Sequence, residues 1–361
     1  MADLPARITG GVDTHKDLHV AAALNDVGKL LGTQSFPTTT AGYRALLVWL
    51  RGFGTVVAVG VEGTGSWGAG LARHLASADV TVLEVNRPNR QHRRRRGKSD
   101  PADAEAAARA VLAEQATGTP KATNGVIEAI RLLRLARRSA VKGRTQAANQ
   151  LHSVIDTAPE ELRAQLIGLS STARIARCSR LRPGEVATPL GAAKLALVSL
   201  ARRWSSLDSE IEMLSEELGR LVALAAPSLV AVKGVGTDVA GALLTAAGDN
   251  PQRLVSEASF AALCGASPIQ ASSGRSQRHR LNRGGDRQAN RALYSVVLSR
   301  LTWDERTRAY MAKRTAEGKS KREAIRCLKR YVARELYREI RKISADLEPS
   351  SLPTEISQSA A

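Results

Sequence analysis

The chain has 361 residues, of which 43% are hydrophobic and 24% are charged, as in soluble globular proteins with two or three domains. Lysine and arginine outnumber aspartate and glutamate by 53 to 34, which gives a net charge of +19. This excess predicts a polyanionic partner such as nucleic acid, with a ribosome- or membrane-surface binder as the alternative. The aromatic share of 3% does not favour single-strand binding by aromatic stacking platforms.

The cysteines and the apolar runs indicate the compartment. Cys178, Cys264 and Cys327 are widely spaced and match neither a zinc-ligand spacing nor a disulfide framework, which fits a reducing environment. No apolar run approaches the ~18 residues of a membrane span. The first residues lack the apolar core of a signal peptide. We therefore expect a soluble cytoplasmic protein with no membrane partner.

Residues 1–115 alternate between predicted strands and helices. Short apolar runs predict strands at residues 7–12, 18–24, 30–36, 55–61 and 80–85. Helical periodicity predicts helices at 41–50, 67–76 and 100–113, the last with Ser99 as its expected N-cap and Pro101 in its first turn. Three strands that lead into a strand–helix alternation are the order expected of a ribonuclease-H-like α/β domain.

The rest of the chain is predicted to be mostly helical. Residues 128–157 and 195–224 carry apolar residues at spacings of three and four, which favours an antiparallel hairpin or a coiled-coil dimerisation arm, or an ordinary bundle. A bend is expected between them at 182–184. Residues 232–236, before a further helix, resemble the hairpin of helix-hairpin-helix DNA binders. A basic helical stretch is predicted at 315–343.

Four carboxylates follow or begin these predicted elements. Asp13 comes directly after the first strand and Glu62 directly after the fourth, where an α/β sheet presents its binding crevice. Asp100 and Asp103 lie three residues apart and therefore share one face of a helix. Such carboxylates could converge on Mg²⁺, or on Mn²⁺, for phosphodiester chemistry. Each one alone is equally well explained as a turn or capping residue.

Two basic segments flank possible chemistry. Residues 87–98 contain seven basic residues and no acidic one, so we expect nucleic-acid contacts from Arg93, Arg94, Arg95, Arg96 and Lys98. A second segment follows a Ser-Gly pair and adds the expected phosphate contacts Arg275, Arg278, Arg280, Arg283 and Arg287. A serine hydroxyl becomes a nucleophile only with a base, a metal or nearby positive charge. The alternative is a serine-rich turn in a basic binding surface.

These motifs together resemble one protein family. Asp13 in Gly-Val-Asp-Thr-His-Lys-Asp, Glu62 in Val-Glu-Gly-Thr-Gly-Ser, and Asp100 with Asp103 in Lys-Ser-Asp-Pro-Ala-Asp-Ala look like the DEDD blocks of the insertion-sequence-110 transposases. The segment from Leu263 to Arg291 and the segment that begins at Gly318 are similar to the C-terminal transposase domain of that family. The resemblance covers residues 8–115 and 225–340.

The resemblance implies a RuvC-like, ribonuclease-H-like catalytic domain at residues 1–120 and a helical, coiled-coil-like arm at 121–225. It also implies a mostly helical C-terminal transposase domain at 226–345, and we expect a disordered tail at 346–361. The family's nucleophilic serine maps to Ser273, with Ser272 as the rival. That serine would form a covalent link to DNA while the four carboxylates hold Mg²⁺ or Mn²⁺.

The same resemblance implies the partners: double-stranded donor and target DNA and a structured non-coding guide RNA, in a nucleoid-associated prokaryotic protein. We expect a homodimer or homotetramer, since carboxylates and serine lie far apart in sequence and could come from different protomers. Two alternatives stay open. A metal-dependent junction resolvase or nuclease would use water in place of the serine, and a non-catalytic nucleic-acid-binding protein would need only the basic surface.

Overall fold

The computed structural model describes residues 6–85, 99–276 and 278–342. The chain divides into two compact units, which are described separately. Unit 1 comprises residues 1–125 and 247–256, and unit 2 comprises residues 126–246 and 257–361. The expected arginine-rich contacts at 93–96 and Lys98, and the tail at 346–361, lie outside the described residues.

Unit 1 is built on a mixed sheet. Its described strands are β1 (Arg7–Thr14), β2 (Leu18–Leu24), β3 (Leu30–Pro37), β4 (Thr55–Glu62) and β5 (Thr81–Val85), in the spatial order β3-β2-β1-β4-β5. The first three strands pair antiparallel, and β4 and β5 extend the sheet in parallel from β1. The helices are α1 (Thr40–Arg51), α2 (Ala69–Ser77) and α3 (Asp100–Leu112). The expected mixed α/β N-terminal part is therefore confirmed.

Helices cover both faces of this sheet, which explains the nearly continuous burial of β1. Because side chains alternate along a strand, Ala21 and Ala23 of β2 face the apolar residues of α1 and α2, such as Leu46 and Leu75. Val20 and Ala22 face the opposite side, against Ala104 of α3. The central strand β1 is therefore covered by α1 and α2 on one face of the sheet and by α3 on the other.

Unit 2 begins with two long helices, α4 (Val126–Thr157) and α7 (Pro189–Ala225). Arg137 Nε donates to Ser215 Oγ at 2.7 Å, and Arg144 pairs with Asp208. The contacting residues follow each other in opposite order along the two helices, so the helices run antiparallel. This agrees with the predicted hairpin, whereas its use in dimerisation stays a prediction.

Two short helices, α5 (Glu160–Leu166) and α6 (Ser171–Cys178), lie in the connection between α4 and α7. Their apolar residues Leu162, Leu166 and Ile175 pack with Leu151 and Leu197 into a small separate core. The sequence predicted only a bend in this connection, and Gly184 does turn the chain with a φ of +72°. The two short helices were not predicted.

The remaining described elements of unit 2 are α8 (Pro227–Val230), α9 (Thr237–Ala247, whose last residue the division assigns to unit 1), α10 (Glu257–Leu263), the short strands β6 (Ile269–Gln270) and β7 (His279–Arg280), α11 (Arg287–Trp303), α12 (Glu305–Ala316) and α13 (Lys321–Arg341). Helix α13 packs against α10, α11 and α12. The mostly helical remainder is thus confirmed. None of the described helices combines the length and the apolarity that crossing a membrane requires.

Of two local predictions, the unbroken basic helix at 315–343 was wrong, and the N-cap position of Ser99 is confirmed. The basic stretch 315–343 is broken, because Gly318 adopts a φ of +84° and Ser320 starts a new helix with a capping box to Glu323. Ser99 does occupy the N-cap position of α3, but its side chain makes no capping hydrogen bond.

Candidate functional site

The carboxylates of Asp13 and Glu62 belong to neighbouring parallel strands. Val12 of β1 is paired with Val61 of β4, so Asp13 and Glu62 follow at the same level of the sheet. Each residue is only 6% exposed. Thr14 Oγ1 donates to the backbone carbonyl of Glu62 at 2.9 Å and ties the two strand ends together. The predicted placement at the carboxyl ends of strands agrees with this geometry.

Helix α3 brings Asp100 and Asp103 to the same edge because glycines let it lie directly on the sheet. A Cβ at Gly11 of β1 would collide with the backbone of Ala104 and Ala108. A Cβ at Gly60 of β4 would lie 2.7 Å from a methyl carbon of Val111. The first turn of α3 therefore starts beside the end of β1, with Asp103 6% exposed.

The ring of His15 joins two of these carboxylates. Its Nε2 lies 3.2 Å from Asp13 Oδ2 and 3.4 Å from Asp100 Oδ1. One ligand atom from each of Asp13, His15 and Asp100 can be chosen so that all three lie within 4.8 Å of one another. This is the spacing at which three side chains could share one cation, and His15 was not among the predicted ligands.

Electrostatics make a cation favourable at this cluster. Burial raises the pKa of the Asp13 carboxyl, the charges of Asp103 and Asp100 raise it further, and His15 opposes them. A buried carboxylate next to other carboxylates is costly unless positive charge compensates it. The donor set of carboxylate oxygens and one imidazole nitrogen fits Mg²⁺ or Mn²⁺, with the nitrogen better suited to Mn²⁺.

The structure thus brings Asp13, Asp100 and Asp103 within electrostatic reach of one another and sets Glu62 on the adjacent strand end. The missed residue, His15, carried a usable signal. It lies two positions after Asp13, where β1 turns into β2 through the hydrogen bond from His15 N to Leu18 O. In this turn the His15 ring lies against the carboxylate of Asp13.

Ser272 and Ser273 lie at the tip of a short hairpin in unit 2. The backbone groups of Ser273 and Ser276 exchange two hydrogen bonds of 3.2 Å and 3.1 Å, and Gly274 makes the tight turn with a φ of +53°. Ser272 Oγ accepts from the backbone N–H of Arg278 at 3.2 Å. Ser273 is exposed, and its hydroxyl makes no hydrogen bond to another described residue. The hairpin was not predicted, and it distinguishes the two hydroxyls.

Five exposed arginines accompany this hairpin: Arg275, Arg278, Arg280, Arg283 and Arg287. None of the five forms an ion pair with another residue that the structure describes. The nearby acidic residue Asp286 instead caps α11, accepting from the N–H groups of Gln288 and Ala289. These guanidinium groups are therefore available for phosphate oxygens, and the predicted nucleic-acid contacts stay a prediction.

Comparison with known proteins gives matches for both parts of the chain. A family model described as a transposase of the DEDD IS110 type matches residues 10–158. A second model, described as Transposase IS116/IS110/IS902 family, matches residues 226–312. A search of curated proteins found no match. The first match contains all four carboxylates, and the second contains both serines and the five arginines.

Proposed function

Because the chain belongs to the IS110 family of transposases, we propose that it cuts and rejoins DNA at an insertion sequence through a covalent link to Ser273. Membership of the family implies a DNA-cutting and DNA-rejoining enzyme. The main support for a metal-assisted reaction is the close approach of Asp13, Asp100 and His15 at the end of β1. The support for a serine nucleophile is that Ser273 is exposed next to arginines that form no ion pair with another described residue.

The acidic cluster is the proposed metal site. Asp13, Glu62, Asp100 and Asp103 are its proposed carboxylate ligands, and His15 is added as a candidate. A bound Mg²⁺ or Mn²⁺ would supply Lewis-acid polarisation of a phosphate oxygen and neutralise charge that develops in the reaction. Asp13, Glu62 and Asp103 are buried where α3 packs on the sheet, so their positions are fixed without a cation.

Ser273 is the proposed nucleophile. Its Oγ attacks the phosphorus of the scissile phosphodiester, gives up its proton, and forms a phosphoserine link. The bond from phosphorus to the 3′-oxygen breaks, and that oxygen leaves as a hydroxyl after it takes up a proton. Rejoining is the reverse reaction with a different 3′-hydroxyl as the attacking group, so no energy source outside the DNA is needed.

The arginines near the hairpin would hold the phosphate during this transfer. Guanidinium groups bind phosphate oxygens through two parallel hydrogen bonds and stabilise charge that develops in the transition state. Arg275 and Arg278 border Ser273 in sequence, and Arg280 lies in β7. Ser272 has a structural role in this proposal, because its hydroxyl closes the hairpin.

The proposed partners are double-stranded donor and target DNA and a structured guide RNA, the last from the family resemblance. Since carboxylates and serine belong to different units of the chain, we propose a homodimer or homotetramer in which one protomer's carboxylates act with another's serine. Mixing a Ser273→Ala chain with an Asp13→Asn chain should then restore activity that neither has alone. Absence of rescue would count against shared sites.

The proposed function is tested by recombination between DNAs that carry the element's end and its target. Asp13→Asn and Asp103→Asn should lower the yield by more than about a hundredfold, since ligand loss costs at least as much as loss of a residue that supports a ligand. Asp17→Asn is the matched control, because Asp17 is an exposed acid in the same turn. Equal activity in all three variants would contradict a metal-dependent enzyme and favour a binding protein.

A further inference from the structure

Two adjoining clefts in unit 2 share the side chains of Tyr310 and Tyr331. The first, of about 900 Å³, lies beside the serine hairpin and is lined by His279 and Arg280 of β7. The second, of about 580 Å³, extends from the same tyrosines to Lys233 and Trp303. Both volumes lie in the range of pockets that accommodate small organic groups. We call the two clefts together the aromatic groove.

Aromatic side chains are exposed in this groove although the chain as a whole has few. Tyr331 is 50% exposed and Trp303 is 42% exposed. The chain has five tyrosines and four tryptophans in 361 residues, so two tyrosines and a tryptophan around one surface are a local concentration. Lys233 Nζ lies 5.6 Å from the centroid of the Trp303 ring and occupies one side of it. The exposed part of each ring can still bind a partner with an apolar face.

The rings are held in place by their neighbours. The ring centroids of Tyr310 and Tyr331 lie 5.5 Å apart with a nearly perpendicular arrangement. Arg314 Nε donates to the hydroxyl of Tyr310 at 2.9 Å, and its guanidinium lies 5.2 Å from the centroid of that ring. A platform that is rigid before binding loses little entropy when a ligand stacks on it.

Cations line the walls around these rings. Arg326 and Lys319 form no ion pair with another described residue, and both line the first cleft. Lys329 Nζ donates to Asn290 Oδ1 at 2.8 Å, and Asn290 Nδ2 in turn donates to Cys264 O at 2.8 Å, which fixes the ammonium group at the wall. Burial, and then the charge of Arg326, lowers the pKa of Lys329, so a nearby anion would be favourable there.

We propose that the aromatic groove binds unpaired nucleotides, with bases stacked on Tyr331 and Trp303 and phosphates bound by Arg326 and Lys329. A duplex offers phosphates but keeps its base faces stacked inside the helix, so it would leave both rings uncovered. A single strand offers an apolar face and a charge with every nucleotide, which matches exposed rings beside cations. The inference rests on the proposed function, since the strand belongs to the nucleic acid on which this enzyme acts.

The test compares single strands with duplex of one sequence, about 12 nucleotides long, by fluorescence anisotropy on the full chain. Tyr331→Ala should weaken single-strand binding about tenfold or more, because each stacked base contributes on that scale. Duplex binding should change less than about twofold. Tyr331→Phe keeps the ring and should bind as the wild type does. DNA and RNA strands are measured in parallel, and tight binding of only one identifies the source of the unpaired nucleotides.

Tyr294→Ala is the matched control, because Tyr294 is 42% exposed on α11 and lines neither cleft of the described residues. A second readout needs no substitution. Cys327 lines the first cleft, so a bound single strand should slow its alkylation several-fold in the wild type.

Two results would overturn the inference. The first is single-strand affinity that is unchanged in both Tyr331→Ala and Trp303→Ala while duplex binding is intact. The second is alkylation of Cys327 at the same rate with and without the strand. A wild-type chain that binds neither strand nor duplex would contradict the proposed function as well, so the two failures are distinguishable.

Discussion

At the residue scale, the positions predicted for the carboxylates of the acidic cluster agree well with the structure. Asp13 and Glu62 were predicted at strand ends, and their strands end side by side. His15 was not predicted as a ligand although it lies two positions after Asp13, because the direction of its ring depends on how β1 turns into β2. The family resemblance already favoured Ser273, which directly precedes Gly274, and the hairpin adds that Ser272 Oγ accepts a hydrogen bond from Arg278. The identity of the nucleophile stays a prediction.

Asp13→Asn should raise the melting temperature of the metal-free chain. The pKa of Asp13 is raised in the folded state, so its ionisation destabilises the fold once the pH exceeds the ordinary aspartate pKa, fully so above the raised one. We expect a gain of about 2–5 °C near pH 7.5, which disappears as the pH approaches about 4. Thermal unfolding followed by circular dichroism measures it.

The same variant tests the metal site. Mg²⁺ or Mn²⁺ should raise the melting temperature of the wild type, because a ligand that binds only the folded state stabilises it. Asp13→Asn should lose this increase, whereas Asp17→Asn should keep it. An equal increase in wild type and Asp13→Asn would show that the cations bind elsewhere.

At the element scale, the strands and helices of unit 1 and the two long helices of unit 2 were predictable because their apolar periodicity is regular. The packing of α3 on the sheet was not, because it depends on Gly11 and Gly60 facing alanines that are distant in sequence. The strands β6 and β7 were also missed, since two residues each are too few for a periodic pattern. The serines between these two strands were singled out by the family resemblance and not by a periodic pattern.

Gly11→Ala should move α3 away from the sheet. The added methyl group meets the backbone of Ala104 and Ala108, which cannot rotate aside as a side chain would. We expect a loss of about 1–3 kcal/mol in the free energy of unfolding, together with a weaker effect of Mg²⁺ on stability. Urea unfolding measures the first and thermal shift the second.

The control for this change is Gly65→Ala. A Cβ at Gly65 meets no atom within 4 Å, so the free energy of unfolding should stay within about 0.5 kcal/mol of the wild type. If the two alanine variants were equally stable, close packing of α3 on β1 would not be what positions Asp100 and Asp103.

At the scale of the whole molecule, the net charge of +19 predicted nucleic acid before any motif did. The structure adds which cations are available. Many arginines are paired on their own helices, as Arg131 is with Glu128 and Arg220 with Glu217, whereas those around the serine hairpin have no acidic partner among the described residues. Composition does not distinguish paired from unpaired arginines. The sequence could therefore predict the net charge but not which arginines lack an acidic partner.

Replacing Arg280, Arg283 and Arg287 with alanine should reduce the salt dependence of duplex binding. For every phosphate that an arginine no longer neutralises, the slope of log K against log salt concentration should fall by about 0.9. The control carries the same charge change at Arg131, Arg163 and Arg220, whose charges are neutralised by neighbouring glutamates. Equal slopes in the two triple variants would mean that net charge alone governs binding.

We propose that Ser273, with a metal held by the acidic cluster, attacks a DNA phosphate and becomes covalently linked to it. The most direct measurement is trapping of a covalent protein–DNA species on labelled DNA, with and without Mg²⁺, after denaturation. We expect this species with the wild type and with Ser272→Ala, and its loss with Ser273→Ala, with Asp13→Asn, or without metal. Cleavage of the DNA by Ser273→Ala with no protein attached would contradict this proposal and identify a nuclease that uses water.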